Sequence, residues 1–224
     1  MDNNYIIDQP AGLGDIFFCQ KIAKKKAEKG KVMWPVQKSI EWVKNYLTDP
    51  NYNIEYITSE VLEEGYSRLI LDGAQNKVGG LIMTSKYQIA GMEWYDWSKY
   101  FTFTRNIEKE NYLYYDHLKL ADEETYTFTN KNYGTPPSNI KYNFTEDFKG
   151  REIEMEILDG FTVFDWIKVI ENASKIAIVD TCLNYIIEKL DVKATDLICY
   201  CRHGEYTFNQ ISPLFKKPWI YKWN

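Results

Sequence analysis

The chain has 224 residues, 45% of them hydrophobic and 26% charged, which is enough apolar material for one large domain or two small ones with real cores. A formal net charge of −5 argues against nucleic acid as the main partner, because phosphate binding needs a basic surface. No apolar run approaches the roughly 20 residues of a membrane span, and the polar start Met1-Asp2-Asn3-Asn4 carries no signal-peptide pattern, so the expected location is the cytoplasm.

Tyr5 to Asp8 reads as a short strand, and it runs into the glycine-rich turn Gly12-Leu13-Gly14-Asp15. Asp15 to Lys29 is amphipathic: Ile16, Cys19, Ile22 and Ala23 form one stripe, with Lys21, Lys24, Lys25, Lys26 and Lys29 opposite. That lysine run reads as a solvated helix face. Gly30 closes the helix, Lys31 to Trp34 is the second strand, and Pro35 stops it. Ser39 to Leu47 reads as a helix, with Asn53–Ile57 and Ser67–Leu71 as further strands, while the pattern from Asn76 to Met92 is weak.

Met92 to Phe103 is dense in aromatic residues and is expected to pack across a domain junction. Arg105 to Leu120 reads as a helix bridging two halves. Thr125 to Asn130 is a strand, followed by the loop Asn132-Tyr133-Gly134-Thr135-Pro136-Pro137. Glu152 to Leu158 alternates as a strand with Ile153, Met155 and Ile157 on one face. Thr162 to Asn172 is a helix and Lys175 to Val179 a fully apolar strand. Asp180-Thr181 opens a helix to Leu190, and Asp196 to Cys201 is the next strand. Strand, helix, strand, helix, strand in this short span implies crossovers and a parallel sheet.

The expected organisation is therefore α/β, with two halves at 1–98 and 121–224 joined by a helix near 99–120 and a ligand in the cleft between them. Cys19, Cys182, Cys199 and Cys201 read as reduced, buried thiols, and no metal site is expected from Cys199, Cys201 and His203.

Two turns carry the candidate chemistry. At the first, Gly12 and Gly14 leave the backbone free to turn and Asp15 stands at a helix start, either as a cap or as a functional carboxylate at the ligand edge of a sheet. The dinucleotide fingerprint fails there, because its third glycine falls at Phe17. At the second, the apolar run Ile176 to Val179 delivers Asp180 and Thr181 to a helix start, again as a cap or as groups for sugar hydroxyls and phosphate. Lys131, Arg202 and Arg105 are the candidate basic partners of a diphosphate.

Together the turn after the first strand and the Ile178-Val179-Asp180-Thr181 segment resemble the glycosyltransferases of the heptosyltransferase (ADP-heptose:lipopolysaccharide) type. Phe164 to Ser174 is similar to the segment preceding that family's donor turn. The resemblance implies a GT-B fold, two Rossmann-like halves facing across a cleft. It implies Asp15 as the base that activates an acceptor hydroxyl, and Asp180 and Thr181 in binding a nucleotide-sugar donor. A glycan or lipid-linked acceptor, no cofactor and no metal are expected with it, with transfer inverting; no Asp-x-Asp, the usual signature of metal-dependent transfer, occurs in the chain. A non-catalytic binder on the same frame and another nucleotide-sugar enzyme stay open as alternatives.

Overall fold

The computed structural model describes residues 4–58, 64–134 and 140–223. Thr135, Pro136 and Pro137 of the expected loop lie outside the described residues. The chain divides into two compact units, Met1–Thr104 and Arg105–Asn224.

Unit 1 is built on a four-stranded sheet of order β3-β2-β1-β4, every pair parallel. Its strands are β1 (Asn4–Asp8), β2 (Val32–Pro35), β3 (Ile54–Ile57) and β4 (Tyr66–Ile70). The helix expected from Asp15 is two short ones, α1 (Leu13–Phe18) and α2 (Gln20–Ala27), meeting at Cys19. Ser39 to Leu47 is mostly a 3-10 turn (Lys38–Val43) that tightens before α3 (Lys44–Leu47). The weakly patterned stretch holds α4 (Ala74–Val78) and α5 (Ile82–Ala90).

The aromatic segment belongs to this unit's own core. It contains α6 (Trp97–Tyr100), and Phe101 stacks on Phe17 at 4.8 Å between centroids. Phe18 meets Tyr87 at 4.9 Å and Trp97 at 5.4 Å. These rings pack against the Phe17 and Phe18 side chains of α1. The same packing corrects the reading of the lysine face. Lys21 and Lys24 are buried: Lys21 donates to Asp96 and to the Glu93 carbonyl, while Lys24 pairs with Asp49 at 2.8 Å and Thr102 at 2.6 Å. Lys25 and Lys29 keep access to water, whereas a buried ammonium needs paired acceptors, which this segment and Asp49 supply to the other two.

Unit 2 begins with α7 (Ile107–Asn111), which passes into a π-helical turn at Tyr112–His117. Its sheet has the order β11-β10-β9-β5-β8, again all parallel. The strands are β5 (Tyr126–Asn130), β8 (Arg151–Glu154), β9 (Lys175–Val179), β10 (Asp196–Tyr200) and β11 (Trp219–Lys222), with a two-residue antiparallel ladder, β6 (Asn132–Tyr133) and β7 (Ile140–Lys141), between β5 and β8. β8 stops at Glu154, short of the expected Leu158, and Ile157 is exposed. Glu154 is paired there with Lys131 and Lys141.

Helices α8 (Ile167–Asn172) and α9 (Cys182–Lys189) pack on one face of this sheet, through the Tyr126 hydroxyl to the Val169 carbonyl (2.7 Å) and Asn184 to Cys199 (3.4 Å). The other face is covered at its centre by aromatic rings. There Ala177, Ile198 and Tyr200 are covered by Tyr142, Phe144 and Phe148 from the connection between β5 and β8, with Phe144 stacked on Tyr200 at 4.1 Å. After β10 come α10 (Glu205–Ile211) and the edge strand β11.

Candidate functional site

In open parallel sheets ligands bind beyond the carboxyl ends of the strands. In unit 1 that edge holds the turn from β1 to α1. Gly12 has φ 78°, a conformation that disfavours side chains, and a Cβ built on it would stand 2.3 Å from the Asp15 Oδ2 atom. The carboxylate of Asp15 therefore lies over backbone that only glycine leaves open. Gly14 sits in the first turn of α1 and lets this short helix start close behind.

Among the described residues the Asp15 carboxylate takes no hydrogen bond from the first amides of α1. Its Oδ1 instead pairs with Lys86 Nζ at 3.0 Å. Lys86, in the middle of α5, also donates to Gln9 Oε1 at 2.6 Å and to the Leu71 carbonyl at 3.2 Å. Its side chain is 4% exposed against 27% for Asp15, so a buried cation supports a carboxylate that reaches solvent. Sequence reasoning missed Lys86; the one available signal was a lone lysine among Met83, Tyr87 and Ile89, where a charge must find partners.

In unit 2 Asp180 follows β9 and Arg202 follows β10, so both stand at the carboxyl edge of neighbouring strands. Asp180 Oδ1 accepts from the Arg202 backbone N–H at 2.7 Å, and Oδ2 accepts from Nε and Nη2, each at 2.8 Å. Burial pushes the Asp180 carboxyl above its ordinary 3.8, an effect that Arg202 offsets only in part. Its side chain is 5% exposed against 32% for Arg202, whose guanidinium lies 5.2 Å from the Tyr133 ring centroid. Here a buried carboxylate aims a cation that reaches solvent.

Thr181 caps α9. Its hydroxyl accepts from the Leu183 N–H at 3.4 Å, and its own N–H donates to Asn184 Oδ1 at 3.0 Å. With the Asn184 N–H on the Thr181 carbonyl, the amides of Thr181, Leu183 and Asn184 already have acceptors inside the chain. Lys131 is likewise engaged, at 2.6 Å from Glu152 and 3.0 Å from Glu154. Burial works against its charged form, but the two carboxylates outweigh that and hold its pKa above the ordinary value. Lys131 and Arg202 thus differ in the number of acids that hold them: two for the first, one for the second.

The four cysteines are free thiols, and burial pushes Cys19 and Cys182 up to about 12, which makes them poor nucleophiles. Among the described residues no group of three or more His, Cys, Asp or Glu is placed to hold a metal ion. No helix among them is long and apolar enough to cross a membrane.

No family model matches the chain, and no curated protein matches its sequence. Solved structures do match its fold. The glycosyl transferase family 9 structure from Veillonella parvula DSM 2008 is similar over 99% of this chain and 87% of its own, with 8% identity and a TM-score of 0.54. Two structures of the dodecameric iron-containing glycosyltransferase TibC, one from enterotoxigenic E. coli H10407 and one described as a heptosyltransferase in complex with ADP-D-beta-D-heptose, are similar over 99% of this chain at 10% and 11% identity, with TM-scores of 0.55 and 0.54. The chain spans 63% of the length of those TibC chains. At such identities the likeness is one of fold, and the fold is the parallel α/β type of these glycosyltransferases.

Proposed function

We propose that this protein is a glycosyltransferase that moves a sugar from a nucleotide-sugar donor to a hydroxyl of a glycan or other acceptor, with inversion and without a metal ion. The observation that carries the reading is the pair of oppositely charged groups, Asp15 and Arg202, each at the ligand edge of its own parallel sheet on a fold shared with glycosyltransferases. In this reading unit 1 serves the acceptor and unit 2 the donor.

Arg202 binds the donor's diphosphate, since a guanidinium already oriented by Asp180 loses little freedom on binding an anion. Thr181 shapes the adjoining turn, and Lys131 contributes only by exchanging Glu152 or Glu154 for phosphate. Asp15 takes the proton from the acceptor hydroxyl as its oxygen bonds to the anomeric carbon from the face opposite the leaving group. The bond from that carbon to the phosphate oxygen breaks, and the electron pair leaves with the nucleoside diphosphate, whose new charge Arg202 stabilises. No step calls for a metal ion.

The test is calorimetry with nucleoside diphosphates and nucleotide sugars, followed by transfer assays with and without EDTA and the product anomer read by NMR. Donor at about a hundred times its Kd should stabilise the fold by about 2.7 kcal/mol. Asp15→Asn should lower turnover by about 10²–10⁴-fold with donor affinity kept. Donor binding with no transfer across a broad acceptor panel would favour a non-catalytic binder, and absence of any nucleotide-sugar binding would sink the reading altogether.

A further inference from the structure

Lys86 is a buried side chain with an unusually complete set of partners. Its ammonium has three protons, and three oxygens stand around it: Asp15 Oδ1 at 3.0 Å, Gln9 Oε1 at 2.6 Å and the Leu71 carbonyl at 3.2 Å. These acceptors come from three places in the chain: the turn after β1, the start of α1 and the end of β4. Gln9 is itself fixed, since its Nε2 donates to the Ala11 carbonyl at 2.8 Å, which turns Oε1 toward the lysine. Gln9 and Lys86 are both buried.

A cation so enclosed costs a great deal to bury, and hydrophobic residues of similar volume would fill α5 more cheaply. Its placement has a definite geometric result. With Oδ1 paired to Lys86, rotation of the Asp15 carboxylate about its last torsion is restrained, and Oδ2 lies toward the Gly12 backbone. A base works only when the accepting oxygen lies on the line of the proton, so fixing that torsion is worth more than fixing a merely structural acid.

We propose that Lys86, itself oriented by Gln9, is the positioning residue for Asp15: it pins Oδ1 so that Oδ2 is the oxygen that meets the acceptor hydroxyl. This rests on the reading of Asp15 as the base. Lys86 touches neither substrate in this role; it acts through Asp15 alone.

That dependence is what the experiment reads. Lys86→Met keeps the length of the chain and removes the ammonium, and Gln9→Leu loosens the lysine without removing it. Each variant is first checked for its melting transition and for donor affinity, which is expected to equal that of the unaltered protein. Under saturating donor, Lys86→Met is expected to lower kcat by about 10²-fold, the size of effect a misplaced catalytic group produces. Gln9→Leu should lower kcat by a smaller factor with KM for donor unchanged, and it carries the test if Lys86→Met does not fold. In the Asp15→Asn background Lys86→Met should change kcat less than about twofold, because a positioning residue has nothing left to position. A full further loss in that background, or unaltered kcat in folded Lys86→Met and Gln9→Leu, overturns the proposal while leaving glycosyl transfer intact. If the unaltered protein transfers nothing, the reading of Asp15 fails and the positioning role falls with it.

Discussion

The ligand edges of the two units are built on one plan with the charges reversed. In unit 1 a cation 4% exposed holds a carboxylate 27% exposed; in unit 2 a carboxylate 5% exposed holds a guanidinium 32% exposed. In each pair the buried member is the one without access to water, and the outer member is the one that can meet a ligand. The difference teaches that the buried charge sets the sign of what its edge presents. One edge offers an acceptor of protons and the other a partner for anions.

The strongest way to break this comparison is to delete the outer member of each pair. Arg202→Ala and Asp15→Ala each strand a buried charge, and each should cost about 3 kcal/mol in chemical denaturation. Lys86→Met leaves a carboxylate that can hydrate and two uncharged oxygens, Gln9 Oε1 and the Leu71 carbonyl, without their donor, and with no buried charge stranded it should cost less than Asp15→Ala. For Arg202→Ala the loss should depend on pH in a definite direction. Burial already holds the folded-state pKa of Asp180 above 3.8, and Arg202 opposes that rise, so its removal lifts the value further. The folded chain then binds a proton that the unfolded chain has released, and stability falls as pH rises through the folded-state value. The deficit should be smaller at pH 5 than at pH 8; a deficit independent of pH would mean that Asp180 is not the stranded charge.

Gly12→Ala sharpens the unit 1 side. The backbone there sits at φ 78° and the new Cβ meets Asp15 Oδ2, so the substitution should cost about 1–3 kcal/mol. It should also lower turnover far more than donor affinity, which a competition assay against the unaltered protein would reveal. On the unit 2 side Thr181→Ala should cost about 1 kcal/mol, the usual worth of a cap. Donor affinity unchanged within error is the expected companion result, and a large loss would show that the hydroxyl reaches the donor.

The smallest effect concerns acid. Asp49 has its pKa lowered by its hydrogen bond from Lys24. The stability this contributes is fully present above 3.8 and is lost as pH falls through the depressed value. Asp49→Asn should remove that contribution, lowering stability at neutral pH and flattening that part of the acid unfolding curve.

The sequence made much of this plan legible where burial is complete. Lys175 to Val179 reads directly as a strand because its side chains are buried on both faces of the sheet, and Asp180 and Asp15 are marked by the turns that carry them. Partners distant in the chain left no such mark. Lys21 and Lys24 share the helical spacing of the solvated Lys25, and only Asp96 and Asp49, far along the sequence, separate them. Lys86 falls in a helix too short and too mixed for its period to stand out. Ile157 shows the opposite case, an alternation in the sequence that continues after the strand has stopped.

Three aromatic rings surround Lys21, those of Tyr87, Tyr95 and Tyr100, with its Nζ between 5.7 and 5.9 Å from each centroid. This enclosure has a consequence for the protein as a chemical reagent. An amine acylates through its lone pair, and Lys21 and Lys24 offer theirs neither to solvent nor to an approaching ester. A short pulse of an amine-reactive label followed by mass spectrometry should therefore mark Lys25 and Lys29 and spare their two neighbours on the same helix. Labelling of Lys21 would then clock the opening of unit 1, residue by residue, without any probe being built in.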